Sequence, residues 1–102
     1  MKEKDIQYQI LQWLQIVKIF HYRQNTGAFK TPEGAMYRFG AVGSPDIVCV
    51  RDGRYIGIEV KQPGKNLSKY QEAFKEELTK AGGHYFVATC LEDVINYFKA
   101  KG

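Results

Sequence analysis

Three charged residues lie beside or inside two runs of residues that otherwise have the composition of buried strands. The stretch PDIVCVRDGRYIGIEVK, residues 45–61, places Asp46 before the apolar run IVCV and places Glu59 and Lys61 at its end. Alternation along an extended strand sends Glu59 and Lys61 to the same face, roughly 6 to 7 Å apart. These residue types can hold a cation and assist a proton transfer at one place.

The turn between the two runs brings Asp46 to the same place. The Asp-Gly pair between Arg51 and Arg54 favours a tight hairpin, and pairing those two arginines puts Asp46 opposite Glu59. Two carboxylates directly opposed across a ladder repel each other unless a positive charge lies between them. Oxygen ligands of this kind suit Mg²⁺ or Mn²⁺, and the carbonyl of Val60 could add a neutral ligand.

Lys61 would then lie next to the metal and could hold or help to deprotonate an attacking water molecule. Gly57, on the same face and without a side chain, would leave room for a substrate backbone. The alternative is that Glu59 and Lys61 form an exposed ion pair while Asp46 only turns the chain after Pro45.

The rest of the chain has a pattern of helices and strands that could position this hairpin. Apolar residues at spacings of three and four predict the helices, and alternating or continuous apolar runs predict the strands. The predicted elements are helix 2–17, strand 19–23, strands 47–50 and 55–60 as an antiparallel pair, helix 68–83, strand 84–89 and a last helix opened by a Thr89–Glu92 capping box. Because strand 84–89 follows a helical crossover, we expect it to pair in parallel.

Residues 24–45 contain four glycines and two prolines, and their composition predicts a long loop with a brief extended piece at 36–39. A loop of this length within a compact domain is more often functional than accidental. The predicted fold class is therefore α/β, a mixed sheet flanked by helices in the order α-β-β-β-α-β-α, in a single domain over residues 1–102.

The composition narrows the class of protein. Fifteen Lys and Arg against eleven Asp and Glu give a net charge of +4, which favours polyanionic partners.

Cys49 and Cys90 lie in apolar runs without CxxC spacing, so we expect buried, reduced thiols. His21 and His84 have no second ligand at zinc spacing, so we expect no zinc site. No apolar stretch is long enough to span a bilayer, so we expect no membrane association.

The string G-S-P-D-I-V at 43–48, followed by I-E-V-K at 58–61, resembles the PD-(D/E)XK nuclease signature. More narrowly, the chain resembles the virus-type replication-repair nuclease (VRR-NUC) family over nearly its whole length. The further matching pieces, in order, are Glu3 and Ile6 on the first helix, R-Q-N-T-G at 23–27, R-F-G at 38–40, L-S-x-x-Q at 67–71 and A-G-G at 81–83.

The resemblance implies a restriction-endonuclease-like fold and phosphodiester hydrolysis dependent on Mg²⁺ or Mn²⁺. It implies Asp46, Glu59 and the Val60 carbonyl as metal ligands, Lys61 as the catalytic lysine, and Glu3 and Gln71 as further members of the active site. Glu3 would bind metal directly or through water, or else only compensate the helix dipole, and Gln71 would act in catalysis or only cap its helix. As DNA contacts we predict Arg23, Asn25, Lys30, Arg38, Ser44, Lys65 and Lys69, although Asn25 also fits a simple turn.

Small members that stand alone resemble Holliday junction resolvases, which implies a homodimer that cuts branched or flap DNA in repair, in a bacterial or phage-infected cytoplasm. One alternative is a restriction-like endonuclease that reads a short duplex sequence. Another is a catalytically inactive nucleic-acid-binding module, although the joint presence of Asp46, Glu59 and Lys61 argues against it.

Overall fold

The computed structural model describes residues 1–24 and 27–101, of which residues 27–29, 37–39 and 101 are described by their backbone alone. The chain forms three helices and six strands in the described part. In chain order these are α1 (Glu3–Ile16), β1 (Phe20–Arg23), β2 (Gly27–Lys30), β3 (Met36–Phe39), β4 (Ile47–Arg51), β5 (Arg54–Val60), α2 (Lys69–Lys80), β6 (His84–Ala88) and α3 (Leu91–Lys101).

Four of the strands form a mixed sheet in the order β1-β4-β5-β6. The β1–β4 and β4–β5 pairs are antiparallel, and β6 runs parallel to β5, as expected for a strand that follows a helical crossover. The predicted mixed sheet flanked by helices is confirmed.

The interval predicted as one long loop contains a second, two-stranded sheet made of β2 and β3. The extended piece at 36–39 is confirmed as β3. The prediction of loop for β2 was wrong, because its Gly-Ala start carries little strand preference and pairing with β3 decides its conformation. A four-residue strand is not stable without a partner, so β2 and β3 form together as a pair.

The core lies between one face of the sheet and the helices α1 and α3. Alternation sends Ile47 and Cys49 of β4, and Ile56 and Ile58 of β5, to this face, where they are buried. The apolar stripe of α1 covers them, and Ile10 and Leu14 are fully buried there. The opposite face of β6 contacts α2, where the rings of Phe74 and Tyr85 lie 6.0 Å apart.

The β4–β5 turn has the geometry that its sequence predicts. Asp52 and Gly53 both have positive φ, at 54° and 75°, as the central residues of a type I′ turn require. Arg51 pairs with Arg54 and Ile47 with Ile58. The register predicted from the turn is confirmed, and its continuation places Asp46 opposite Glu59.

The helix ends follow their local sequences with one correction. Gly82 adopts φ of 94° after α2, and the N–H of Gly83 bonds the carbonyl of Leu78 at 3.0 Å, which is a Schellman ending. The predicted Thr89–Glu92 capping box at α3 was wrong. Asp93 instead accepts from both N and Oγ1 of Thr89, at 2.8 and 3.1 Å, because the helix begins one residue later than that box requires.

Candidate active site

The hairpin register brings Asp46 and Glu59 side by side at the edge of the sheet where β4 begins and β5 ends. Asp46 Oδ2 accepts a hydrogen bond of 2.7 Å from the backbone N–H of Val60. The two carboxyl groups are close enough for the charge of Asp46 to raise the pKa of Glu59. Since the N–H and C=O of one residue in an extended strand point to the same side, the Val60 carbonyl lies on the Asp46 side.

Glu59 is buried, with 4% of its surface exposed, and its two carboxylate oxygens have different surroundings. Oε2 accepts from Gln71 Nε2 at 2.9 Å and lies 3.7 Å from Lys61 Nζ. Oε1 has no hydrogen-bond partner. A buried carboxylate oxygen without a protein partner is costly, and a proton, a water molecule or a cation would satisfy it.

Both carboxyl groups resist ionisation in this arrangement. Burial first, and then the negative charge of Asp46, raise the pKa of Glu59 from its ordinary value of 4.5 to about 7. Burial also raises the pKa of Asp46, although the hydrogen bond from Val60 acts in the opposite direction. A positive charge between the two groups would remove much of this cost.

Gln71 combines the two roles that its sequence left open. Its Oε1 accepts from Ser68 N at 2.8 Å while Ser68 Oγ accepts from Gln71 N at 3.2 Å, which completes a capping box at the start of α2. The same side chain uses its Nε2 to bond Glu59. Capping therefore aims the amide at the carboxylate.

Glu3 lies at the rim of the site. Its Oε2 accepts from the backbone N–H of Gln62 at 3.4 Å, one residue beyond Lys61, and the side chain is exposed. Its negative charge contributes to raising the pKa of both Asp46 and Glu59. The first turn of α1 is thus close enough to act on the carboxylate pair electrostatically.

The donor atoms suit a hard divalent cation. Among residues 1–24 and 27–101, no group of three or more His, Cys, Asp and Glu side chains is close enough to hold a metal. Mg²⁺ usually takes one or two carboxylates and keeps several water molecules, so two carboxylates and a carbonyl are a sufficient set. The unpartnered Oε1 of Glu59 is the observation that a cation would explain.

Gly57 does not leave the sheet face open, contrary to the expectation from sequence. A Cβ at Gly57 would lie 2.6 Å from Cγ of Pro45, so Pro45 packs directly on this glycine. The contact holds the segment before β4 against β5 and thereby positions Asp46. Close packing, not substrate access, explains the glycine.

The predicted DNA contacts belong to several separate segments of the chain. Exposed side chains are found at Arg23, Lys30, Lys65 and Lys69. Arg23 lines a cavity of about 670 Å³ together with Glu3 and Tyr8. Asn25 lies outside the described residues, and so does the side chain of Arg38. Ser44 is buried, with no hydrogen-bond partner for Oγ. These DNA contacts stay predictions.

Sequence reasoning missed Tyr85, which is 5% exposed and donates to the carbonyl of Gly43 at 3.3 Å. Burial, and next the charge of Glu59, raise the pKa of Tyr85. The alternation of residues along the strands could have indicated this position of Tyr85. The parallel register pairs Gly57 with Tyr85 and Glu59 with Val87, and all four lie on one face. Tyr85 therefore lies on the same sheet face as Glu59 and bonds the segment that precedes Asp46.

A mixed sheet that presents two carboxylates and a lysine at the end of an antiparallel hairpin is the arrangement that the resemblance to nucleases predicts. The VRR-NUC domain profile matches residues 2–91, which include all of these side chains. The chain belongs to the VRR-NUC family, and its substrate is therefore a nucleic acid. No match was found among curated proteins. None of the helices in the described part is long and apolar enough to cross a membrane.

Proposed function

We propose that this chain is a divalent-metal-dependent endonuclease that hydrolyses phosphodiester bonds in branched or structured DNA. The observation that carries the proposal is the buried Glu59, whose Oε1 has no partner and whose neighbour across the hairpin is another carboxylate. The donor set favours Mg²⁺ or Mn²⁺.

Asp46, Glu59 and the Val60 carbonyl would hold the ion, and Glu3 would bind it through water. When bound, the ion activates water and stabilises negative charge on the phosphate. Gln71 holds Glu59 through Oε2, so Oε1 would be available to bind the ion. Asp46 keeps its orientation through the N–H of Val60, so the two carboxylates are fixed before substrate arrives.

Lys61 supplies a positive charge to the site. Its Nζ lies 3.7 Å from Glu59 Oε2, and its side chain is 17% exposed, so the ammonium is held but still reaches solvent. From this position it would orient the attacking water for in-line displacement and offset the charge that develops on the phosphate oxygens. Loss of such a group costs about 10²-fold or more in rate.

Shape is the feature of DNA that we expect this protein to recognise. A homodimer with two-fold symmetry would place two sites on the symmetric arms of a four-way junction. The β2–β3 sheet supports a second candidate, a restriction-like endonuclease, because a two-stranded ribbon can enter a major groove. A sequence preference on plain linear duplex would favour this second candidate.

A panel of labelled DNAs tests the proposal. Four-way junction, flap, nicked, single-stranded and linear substrates are incubated with Mg²⁺, Mn²⁺ or EDTA. We expect divalent-dependent cutting of a branched substrate that is abolished in Lys61→Ala. Lys80→Ala is the matched control, because Lys80 pairs with Glu76 on the exposed face of α2. Equal cutting by Lys61→Ala and the parent would remove Lys61 from catalysis, and binding in EDTA without any cleavage would indicate an inactive binding module.

A further inference from the structure

Two adjoining cavities lie at the end of the sheet opposite the carboxylates. One, of about 280 Å³, lies between the β4–β5 turn and α3, and the other, of about 670 Å³, lies between the turn and the end of α1. Arg51, Asp52 and Phe98 line both, so the two cavities adjoin at these residues. We call the two cavities together the distal groove. Arg54 begins β5 and Glu59 lies five residues on, which is about 17 Å along the strand.

The distal groove is strongly basic. Arg51 and Arg54 line one part and Lys18 and Lys99 the other, against Asp52 as the only acidic residue of the lining. The Lys61–Glu59 and Lys80–Glu76 pairs are the ion pairs of the described chain, so none of these four cations is neutralised by one. The Arg51 guanidinium lies 5.6 Å above the ring of Phe98, which holds it in the lining.

Lys18 occupies a backbone conformation that disfavours its own residue type. It has φ of 60° directly after the last turn of α1, where the N–H of Ile19 bonds the carbonyl of Leu14 at 3.1 Å. Glycine is the residue that this position favours, because a Cβ is strained there. A lysine at a position that favours glycine puts a cation into the groove at a cost in stability.

Exposed aromatic rings connect the distal groove to the active site along β1. Phe20 lines the groove with 66% of its surface exposed, and Tyr22 is 46% exposed. Phe20 pairs with Val50 and Tyr22 with Val48, and the next position on that face of β4 is Asp46. Phe20, Tyr22 and Asp46 therefore share one sheet face in successive rows, which places a line of rings between the groove and the carboxylates.

We infer that the distal groove binds single-stranded nucleic acid, and that a strand held at the carboxylates passes over Tyr22 and Phe20 into it. Cations that contact phosphates, together with exposed rings on which bases stack, are the two components of a sequence-tolerant single-strand site. A second copy of the chain fits less well, because a two-fold contact would bring the four cations against four like charges. The inference rests on the proposed function only in taking a nucleic acid as the ligand.

Trp13, the single tryptophan of the chain, lines the groove and reports on its occupancy. We expect oligo-dT added in EDTA to quench its fluorescence, with the same affinity measured by anisotropy of labelled oligo-dT. In the double variant Arg51→Gln/Arg54→Gln the affinity for oligo-dT falls. The negative slope of log K against log salt concentration becomes shallower by about 1.4, or about 0.7 per lost contact. Lys75→Gln/Lys80→Gln on α2 removes the same charge elsewhere and leaves both values near those of the parent.

Two further variants separate binding from folding and from catalysis. Lys18→Gly should raise the melting temperature and weaken oligo-dT binding, a combination that a purely structural role would not produce. Asp46→Asn should lose cleavage and retain Trp13 quenching, which separates this inference from the proposed function. The inference is overturned if the arginine variant binds like the parent or loses no more affinity than the α2 control, or if Phe20→Ala changes only the oligomeric state in sedimentation.

Discussion

The side-chain amide of Gln71 donates from Nε2 to Oε2 of the buried Glu59 at 2.9 Å. The other end of this amide accepts from Ser68 N, a group that can only donate, and this fixes which atom faces the carboxylate. The start of α2 and the acidic site are therefore joined through one residue. A change at this residue should affect the site even where the helix survives.

Gln71→Glu should preserve the helix cap of α2 and impair the active site. Glutamate also completes a capping box, so we expect the melting temperature to change little. The new carboxylate would repel Glu59 where the amide donated to it, and we expect a loss of about 10- to 100-fold in metal affinity or cleavage rate. Steady-state cleavage of the preferred DNA, measured beside thermal melting, checks this.

Ser68→Ala provides the matched control for that variant. It removes the Ser68 half of the capping box at a cost of about 1 kcal/mol and leaves the Gln71 amide in contact with Glu59. We expect it to be less stable and to retain most activity. The opposite result, an active Gln71→Glu and an inactive Ser68→Ala, would assign Gln71 to capping alone.

The raised pKa of Glu59 should make the metal-free protein less stable as the pH rises. The folded value of about 7 lies above the ordinary 4.5, so the folded state binds more protons between these values. The free energy of unfolding should therefore decrease from about pH 4.5 to pH 7, by about 2 to 3 kcal/mol if this group acts alone. Denaturant melts in EDTA across this range measure the decrease.

Glu59→Gln and Mg²⁺ should each change that profile. The amide does not titrate, so most of the decrease should disappear in the variant. Mg²⁺ should raise stability more at high pH than at low pH, since its ligands must be ionised. A parent profile that is flat, or one that rises with pH in EDTA, would mean that Glu59 ionises freely in the folded chain.

Gly43→Ala should be far more destabilising than Gly64→Ala. Both glycines have positive φ, at 83° and 85°, so alanine is strained at each. A Cβ at Gly43 would also lie 2.2 Å from the backbone oxygen of Tyr70, whereas nothing lies within 4 Å at Gly64. We expect the clash to add about 2 kcal/mol or more in chemical denaturation. Similar losses for the two variants would show that the segment before Asp46 can move away from α2.

The hairpin and its site were the most predictable part of the molecule from sequence. The Asp52-Gly53 pair fixes the turn, the turn fixes the register, and the register brings Asp46 to Glu59. Each of these steps depends on residues that are close together in the chain, so the local sequence is enough to predict it. The same holds for the capping box of Ser68 and Gln71.

The features that sequence reasoning missed depend on contacts between distant segments. Pro45 packs on Gly57, and Tyr85 reaches the carbonyl of Gly43, across separations that periodicity does not register. The strand β2 forms only because β3 pairs with it. The bond from Gln71 to Glu59 also depends on how α2 packs on the sheet, so from sequence its role had stayed open between capping and catalysis.

Titration with Mn²⁺ is the most direct test of the claim that Asp46 and Glu59 lie together because a divalent cation binds between them. Calorimetry and electron paramagnetic resonance of the parent near neutral pH should show saturable binding accompanied by proton release, since Glu59 is partly protonated without the ion. Asp46→Asn and Glu59→Gln should each abolish the binding and remain folded, while Lys80→Ala binds like the parent. Absence of saturable binding in the folded parent, or unchanged binding in both carboxylate variants, would contradict the account.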